Sequence, residues 1–110
     1  MGNPWRGDVS LTLDGQRHDM RLTLGALAEL EAGLKADTLV ALVERFEGGA
    51  YRSADVLALI VAGLRGGGWT GTAADLLHAE IAGGPVAAAR AAAELLARAF
   101  VVPEVEHGAD

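Results

Sequence analysis

The stretch that decides the fold is VSLTLDGQRHDMRL, residues 9–22. Its first half alternates apolar and polar side chains, which is the pattern of a half-buried β-strand. The dipeptide Asp14-Gly15 suits a two-residue type I′ turn, because both turn positions need a positive φ. The stretch therefore predicts a β-hairpin in which residue 13 pairs with 16, 11 with 18, 9 with 20 and 8 with 21.

The predicted hairpin needs to pack against other elements, because an isolated two-stranded hairpin has only marginal stability in water. One face of the hairpin is apolar. That face holds Val9, Leu11, Leu13, Met20 and Leu22. We expect helices to cover this face and the strand edges to remain available to a partner.

The remainder of the chain predicts five helices, each opened by a residue suited to a helix start. These residues are Thr23, Thr38, Ser53, Thr72 and Pro85, with Pro85 in the first helical turn. The expected ends are near residue 35, at 48–49, at 66–68, at 83–84 and at Phe100, and glycines mark three of them.

The third and fifth predicted helices carry the most information. Apolar residues cover more than one face of the third helix, which indicates the central and most buried position. The fifth helix is the longest and is rich in alanine. Its apolar stripe is Val86, Ala89, Ala93, Leu96 and Phe100, and its small alanines permit close helix approach inside the domain or against another chain. The fold class is therefore α+β and mostly α, with an N-terminal β-hairpin followed by a bundle of about five helices. We expect one domain over residues 1–102 and a disordered tail over 103–110, where the sequence turns polar.

The amino-acid composition excludes several classes of function. The 110 residues include no cysteine, which excludes disulfides, thiolate metal sites and thiol nucleophiles. The formal net charge of −6, with scattered arginines, opposes binding to nucleic acid. No apolar run approaches the ~18 residues of a membrane span, and the N-terminus does not resemble a secretory signal. We expect a cytoplasmic protein that binds other proteins.

No pattern of side chains indicates catalysis. The histidines are His18, His78 and His107, which fall in a strand, a helix and the tail without ligand spacing. The glycine run 66–68 follows a helix and precedes Trp69, so it reads as a helix stop rather than a phosphate-binding loop. We therefore expect no enzyme activity, no cofactor and no metal. Trp5 and Trp69 either close the core or anchor a partner, and the core role is favoured for Trp69.

Four segments resemble the small tail protein encoded in gene transfer agent clusters of alphaproteobacteria. They are NPWRG at 3–7, LTLDG at 11–15, LTLGALAELE at 22–31 and LRGGGW at 64–69. The resemblance covers about residues 3 to 100. That family belongs with the tail assembly chaperones of long-tailed phages and has also been labelled a tail tube protein.

The resemblance implies a chaperone that binds the tape-measure protein, and other tail proteins, during tail assembly. The alternative is a structural tail tube component. A tube subunit must pair strands between copies into a continuous sheet, whereas this sequence predicts one short hairpin. The sequence therefore favours the chaperone, and it leaves homo-oligomerisation open.

The predicted partner site is an apolar groove near helices two and three. Helix three has more apolar surface than its short neighbours obviously cover, which suggests that the groove receives partner helices. The candidate protein-binding residues are Phe46, Leu57, Ile60, Leu64 and Trp69.

Overall fold

The computed structural model describes residues 9–34 and 38–100. Two strands are followed by five helices, which confirms the predicted fold class. The strands are β1 (Val9–Leu13) and β2 (Gln16–Met20), and the helices are α1 (Leu24–Gly33), α2 (Leu39–Gly48), α3 (Ser53–Gly66), α4 (Ala73–Leu77) and α5 (Gly84–Phe100). Among the described helices, none is long and apolar enough to cross a membrane. Trp5 and the predicted tail at 103–110 lie outside the described residues.

The hairpin has the predicted register. Val9 pairs with Met20, and the pairing continues to Leu13 opposite Gln16. Asp14 and Gly15 have φ angles of 50° and 82°, as a type I′ turn requires. The predicted pair 8–21 lies outside the described residues at position 8. Of the predicted apolar face, every member but Leu22 is buried, and Leu22 is half-buried.

The hairpin edges are less available than the sequence suggests. On the outer side of β1, Ile81 forms a β-bridge with Leu13, and the Ala82 amide donates to the Thr12 carbonyl at 3.0 Å. One residue beyond β2, the Arg21 amide donates to the Gly63 carbonyl at 3.0 Å. The edge of β1 is therefore engaged at its turn end by the chain itself, and on the other side the contact with α3 comes just after β2.

Helix α3 is central, as predicted, and packs against α1, α4, α5 and β2. Its glycines allow the close approach to β2. A Cβ at Gly66 would collide with the Arg21 carbonyl oxygen, and one at Gly67 would collide with the Asp19 carbonyl oxygen. Gly66 and Gly67 thus form a packing surface as well as a helix stop.

The predicted caps hold for three helices. The hydroxyls of Thr23 and Thr38 each accept from a backbone amide three residues on at 3.1 Å, and Thr72 does so at 3.4 Å. For α3 the predicted cap is wrong. Ser53 is already helical, and Arg52 is the N-cap. The Arg52 amide donates to the Asp55 carboxylate at 2.8 Å, so the side chain at the third helical position closes this end.

Helix α4 is shorter than predicted: it ends at Leu77 and does not continue to residues 83–84. Contacts with the hairpin explain the early end. The Asp14 carboxylate accepts from the Glu80 amide at 2.9 Å, and the Asp14 amide donates to the Glu80 carbonyl at 2.8 Å. Pairing with β1 draws this segment out of helical geometry and brings Ile81 beside Leu13.

Helix α5 is the longest, as predicted, but the face that it buries differs from the apolar stripe read from the sequence. The buried residues are Ala88, Ala91, Ala92, Leu95 and Leu96, whereas Val86, Ala93 and Phe100 are exposed. Of the apolar stripe, Leu96 is buried and Ala89 half-buried. The buried face is turned toward Ala88, Ala91, Ala92 and Leu95, because α5 packs on both α3 and β1.

Candidate protein-binding groove

An open apolar groove of about 620 Å³ lies between the start of α3, α4 and the start of α5. Helix α3 contributes Val56, Leu57 and Ile60 to its floor and wall. Leu76 and Leu77 of α4 form a second wall. The third wall comes from the first two turns of α5, through Gly84, Pro85, Val86, Ala88 and Ala89. The volume is within the range of ligand-binding clefts, about 300–1,000 Å³.

Exposed apolar side chains gather at this groove. In the part of the chain that the structure describes, six large hydrophobic residues are exposed, and Tyr51, Leu77 and Val86 of these line the groove. Leu77 is 68% exposed and Val86 67%. Exposed apolar residues are ordinary when scattered, but a group of them beside a cleft is typical of a binding surface.

The groove has the chemistry of a binding surface. No residue that lines it is an acid, a base or a histidine, and its side-chain polar groups are the hydroxyls of Tyr51 and Ser53. Within residues 9–34 and 38–100, no group of three or more metal-ligating side chains is present. The walls can therefore exclude water from an apolar partner, but they offer no acid or base for proton transfer.

A buried ion pair fixes the α3 end of the groove. The guanidinium of Arg45 in α2 donates to both carboxylate oxygens of Asp55 in α3, at 3.0 Å each. Burial by itself raises the pKa of Asp55, but the hydrogen bonds from Arg45 and from the Arg52 amide outweigh it. The pKa is therefore lowered from its ordinary value.

An aromatic stack positions the rim next to this ion pair. Phe46, at the end of α2, stacks on Tyr51 with ring centroids 4.6 Å apart. Tyr51 lines the groove, so Phe46 supports the rim from behind. Together the stack and the ion pair hold the α2–α3 connection against the start of α3.

The five predicted binding residues do not form one surface. Leu57 and Ile60 line the groove, although Ile60 is almost fully buried in its floor. Leu64 is fully buried at the other end of α3. Trp69 lies beyond that end, where its half-buried ring packs against Gly71 and the core. Phe46 does not line the groove itself but stacks on Tyr51, which does.

The sequence analysis missed Tyr51, Leu77 and Val86. Leu77 was missed because α4 was predicted to continue to residues 83–84, and its length of five residues became visible only in the structure. Leu76 takes the buried position and Leu77 remains exposed. Val86 was placed in the apolar stripe of α5 and was not counted among the binding residues. Tyr51 could not be placed, since it lies between two helices.

Comparison with known proteins identifies the family. The family model described as "Phage tail tube protein, GTA-gp10" matches residues 6–101. No curated protein and no solved structure matches the chain. The match covers nearly the whole chain and agrees with the resemblance drawn from the four sequence segments. The chain belongs to the gene transfer agent family of phage tail tube proteins.

Proposed function

We propose that the protein is a non-catalytic tail assembly chaperone that acts in the cytoplasm. In this role the groove holds an apolar segment of the tape-measure protein before the tail tube forms around it. One observation carries the proposal: exposed Tyr51, Leu77 and Val86 converge on the same apolar groove. Such a surface shields apolar segments of another chain from water.

The family description favours a second candidate, a structural component of the tail tube. A tube subunit needs strands that pair with neighbouring copies into a continuous wall. The sheet that the structure describes has two strands of five residues each. This small sheet supports the chaperone over the tube, whereas the family description supports a place in the particle.

The experiment is coexpression with the tape-measure protein of the same gene cluster, followed by affinity copurification and analysis of mature particles. A chaperone makes the tape-measure protein soluble, copurifies with it and is absent from finished particles. Stoichiometric presence in particles, without a complex before assembly, would instead identify a structural component.

A matched pair of variants locates the binding surface. Val86 lines the groove and Val40 lies outside it on α2, yet both are 67% exposed and both stand in the first turn of a helix. We expect Val86→Glu to reduce recovery of the tape-measure protein at least about ten-fold, because a carboxylate would be buried without a partner. Val40→Glu should leave recovery unchanged.

Circular dichroism of both variants keeps this test interpretable. Each substitution replaces an exposed side chain, so we expect both proteins to fold with wild-type melting temperatures, within a few degrees. Equal binding by the two folded variants would exclude the groove as the tape-measure site.

A further inference from the structure

We propose that two copies of this chain associate through α5, with the two α5 helices antiparallel and related by a two-fold axis at Ala93. The contact surface is the outer stripe of α5, which consists of Val86, Ala89, Ala93, Ala97 and Phe100. Association through this stripe does not depend on the proposed function, because Ala93, Ala97 and Phe100 lie outside the lining of the groove.

The outer stripe lies on the side of α5 that points away from the core. Successive residues of an α-helix are rotated by about 100°, so the five positions fall within an arc of about 80°. The buried residues of the helix lie on the opposite side, around Leu95. Ala93 and Ala97 are exposed, and so are the large end residues, Val86 at 67% and Phe100 at 44%. The outward face of a surface helix is normally polar, whereas this one is apolar for about 21 Å.

The outer stripe is symmetric about Ala93 in spacing and in side-chain size. Its residues are three, four, four and three positions apart, with alanines in the middle and larger side chains at both ends. An antiparallel copy therefore places Val86 opposite the partner's Phe100 and Ala93 opposite the partner's Ala93. Two crossed helices come closest at one point and diverge on either side of it. Alanine fits the close point, and the larger side chains fill the wider ends.

The charges beside the stripe are complementary under the same two-fold axis. Arg90 and Glu94 both lie on the flank of α5 that faces β1. The axis brings this flank of one copy beside the same flank of the other. Arg90 precedes Ala93 by three residues and Glu94 follows it by one, so Arg90 and the partner's Glu94 are offset by about 3 Å along the helix axes. Two opposite-charge pairs result, and this complementarity identifies the occupant as a second copy of the chain.

Sedimentation velocity of the full chain is the first test. One pair of helices buries less surface than the about 1,600 Å² of a standard interface, so we expect a weak dimer whose population depends on concentration. Between about 10 μM and about 1 mM, the mass should rise from the 11.3 kDa of one chain toward twice that value. A monomer mass over this whole range would overturn the proposal.

A matched pair of variants locates the contact. Ala93→Glu places two carboxylates against each other at the two-fold axis, so it should weaken the dimer at least about ten-fold. Ala28→Glu adds the same charge at an exposed position of α1 and should leave the dimer unchanged. Circular dichroism checks that both variants fold. A dimer that survives Ala93→Glu would lie on another surface and would overturn the proposal.

Charge reversal tests the antiparallel orientation. Arg90→Glu and Glu94→Arg each place like charges together across the axis, so each alone should weaken the dimer about three-fold or more at low salt. The two substitutions combined restore opposite charges and should restore the dimer. A double variant as weak as the single variants would overturn the orientation.

A disulfide cross-link tests the contact without adding charge. The chain contains no cysteine, so Ala93→Cys can form a disulfide only between two copies. Closely packed helices bring facing Cα atoms to within about 4–5 Å, which a disulfide can bridge. Mild oxidation with copper phenanthroline should therefore link most of the Ala93→Cys protein into dimers and little of the Ala28→Cys protein. Equal cross-linking of the two variants would reflect random collision and would contradict the two-fold contact at Ala93.

Discussion

At the residue scale, Asp55 is the side chain that joins α3 to α2. Its side chain is 2% exposed, and its carboxylate accepts from the Arg45 guanidinium and the Arg52 amide. Burying an ionised carboxylate is costly unless its hydrogen bonds are complete, and here several donors satisfy it. Removing its charge would leave the Arg45 guanidinium, itself largely buried, beside a neutral group in place of a carboxylate.

We expect Asp55→Asn to lower the free energy of unfolding by about 3 kcal/mol at pH 7. The wild type should also lose stability in acid. The folded-state pKa lies below the ordinary value of 3.8, so the stabilisation is present above about pH 4 and is lost as the pH falls through the folded-state pKa. Urea unfolding from pH 7 to pH 2 measures both effects.

Asp19→Asn is the control for Asp55. Asp19 is exposed and lies 3.6 Å from Arg17 on the hairpin, where ion pairs contribute little. We expect this variant to keep the acid-dependent loss of the wild type, whereas Asp55→Asn should show a smaller one. Identical pH profiles for Asp55→Asn and the wild type would contradict the assignment.

Gly66 is also constrained, in its case by the space beside it. Gly66→Ala should lower the free energy of unfolding by about 2 kcal/mol, because the new methyl group would meet the Arg21 carbonyl oxygen. Gly25→Ala in α1 meets only the Thr23 hydroxyl at 3.9 Å, so it should raise stability by about 0.5–1 kcal/mol. Chemical denaturation measures both, and equal effects would disprove the packing role of Gly66.

At the element scale, Asp14 couples the hairpin turn to the segment after α4. Asp14→Ala removes the carboxylate that accepts from the Glu80 amide and places alanine at a φ of 50°. We expect the free energy of unfolding to fall by about 2 kcal/mol and hydrogen exchange at the Glu80 amide to become faster. Asp14→Asn keeps an acceptor and tolerates the positive φ, so it should retain most of the stability. Slow exchange in Asp14→Ala would contradict the coupling.

The hairpin and α4 show which parts of the fold could be predicted from the sequence. Local chemistry predicted the hairpin, its register, the threonine caps and the number of helices, because turns and caps depend on neighbouring residues. The end of α4 depended on a contact between Asp14 and Glu80, which are 66 positions apart. The groove depended equally on tertiary packing. Leu57 and Ile60 were predicted from an apolar helix face, but Val86 became visible only once α5 was oriented.

At the scale of the whole molecule, one core joins the hairpin to all five helices. Leu59 lies fully buried within it on α3. We expect Leu59→Ala to lower the free energy of unfolding by about 2–5 kcal/mol. The unfolding midpoints measured by far-UV circular dichroism and by tryptophan fluorescence should fall together. Leu24→Ala removes a side chain that is 84% exposed and should change stability by less than about 0.5 kcal/mol. Separate transitions in Leu59→Ala would contradict a single core.

The engaged edge of β1 affects the tendency of the protein to aggregate. A bare strand edge is a template on which further chains can stack, and it is a common start of aggregation. Here residues 80–82 bond to the turn end of β1. Addition of a second copy at that position would first have to break these internal bonds, so this part of the hairpin is protected from edge-to-edge pairing.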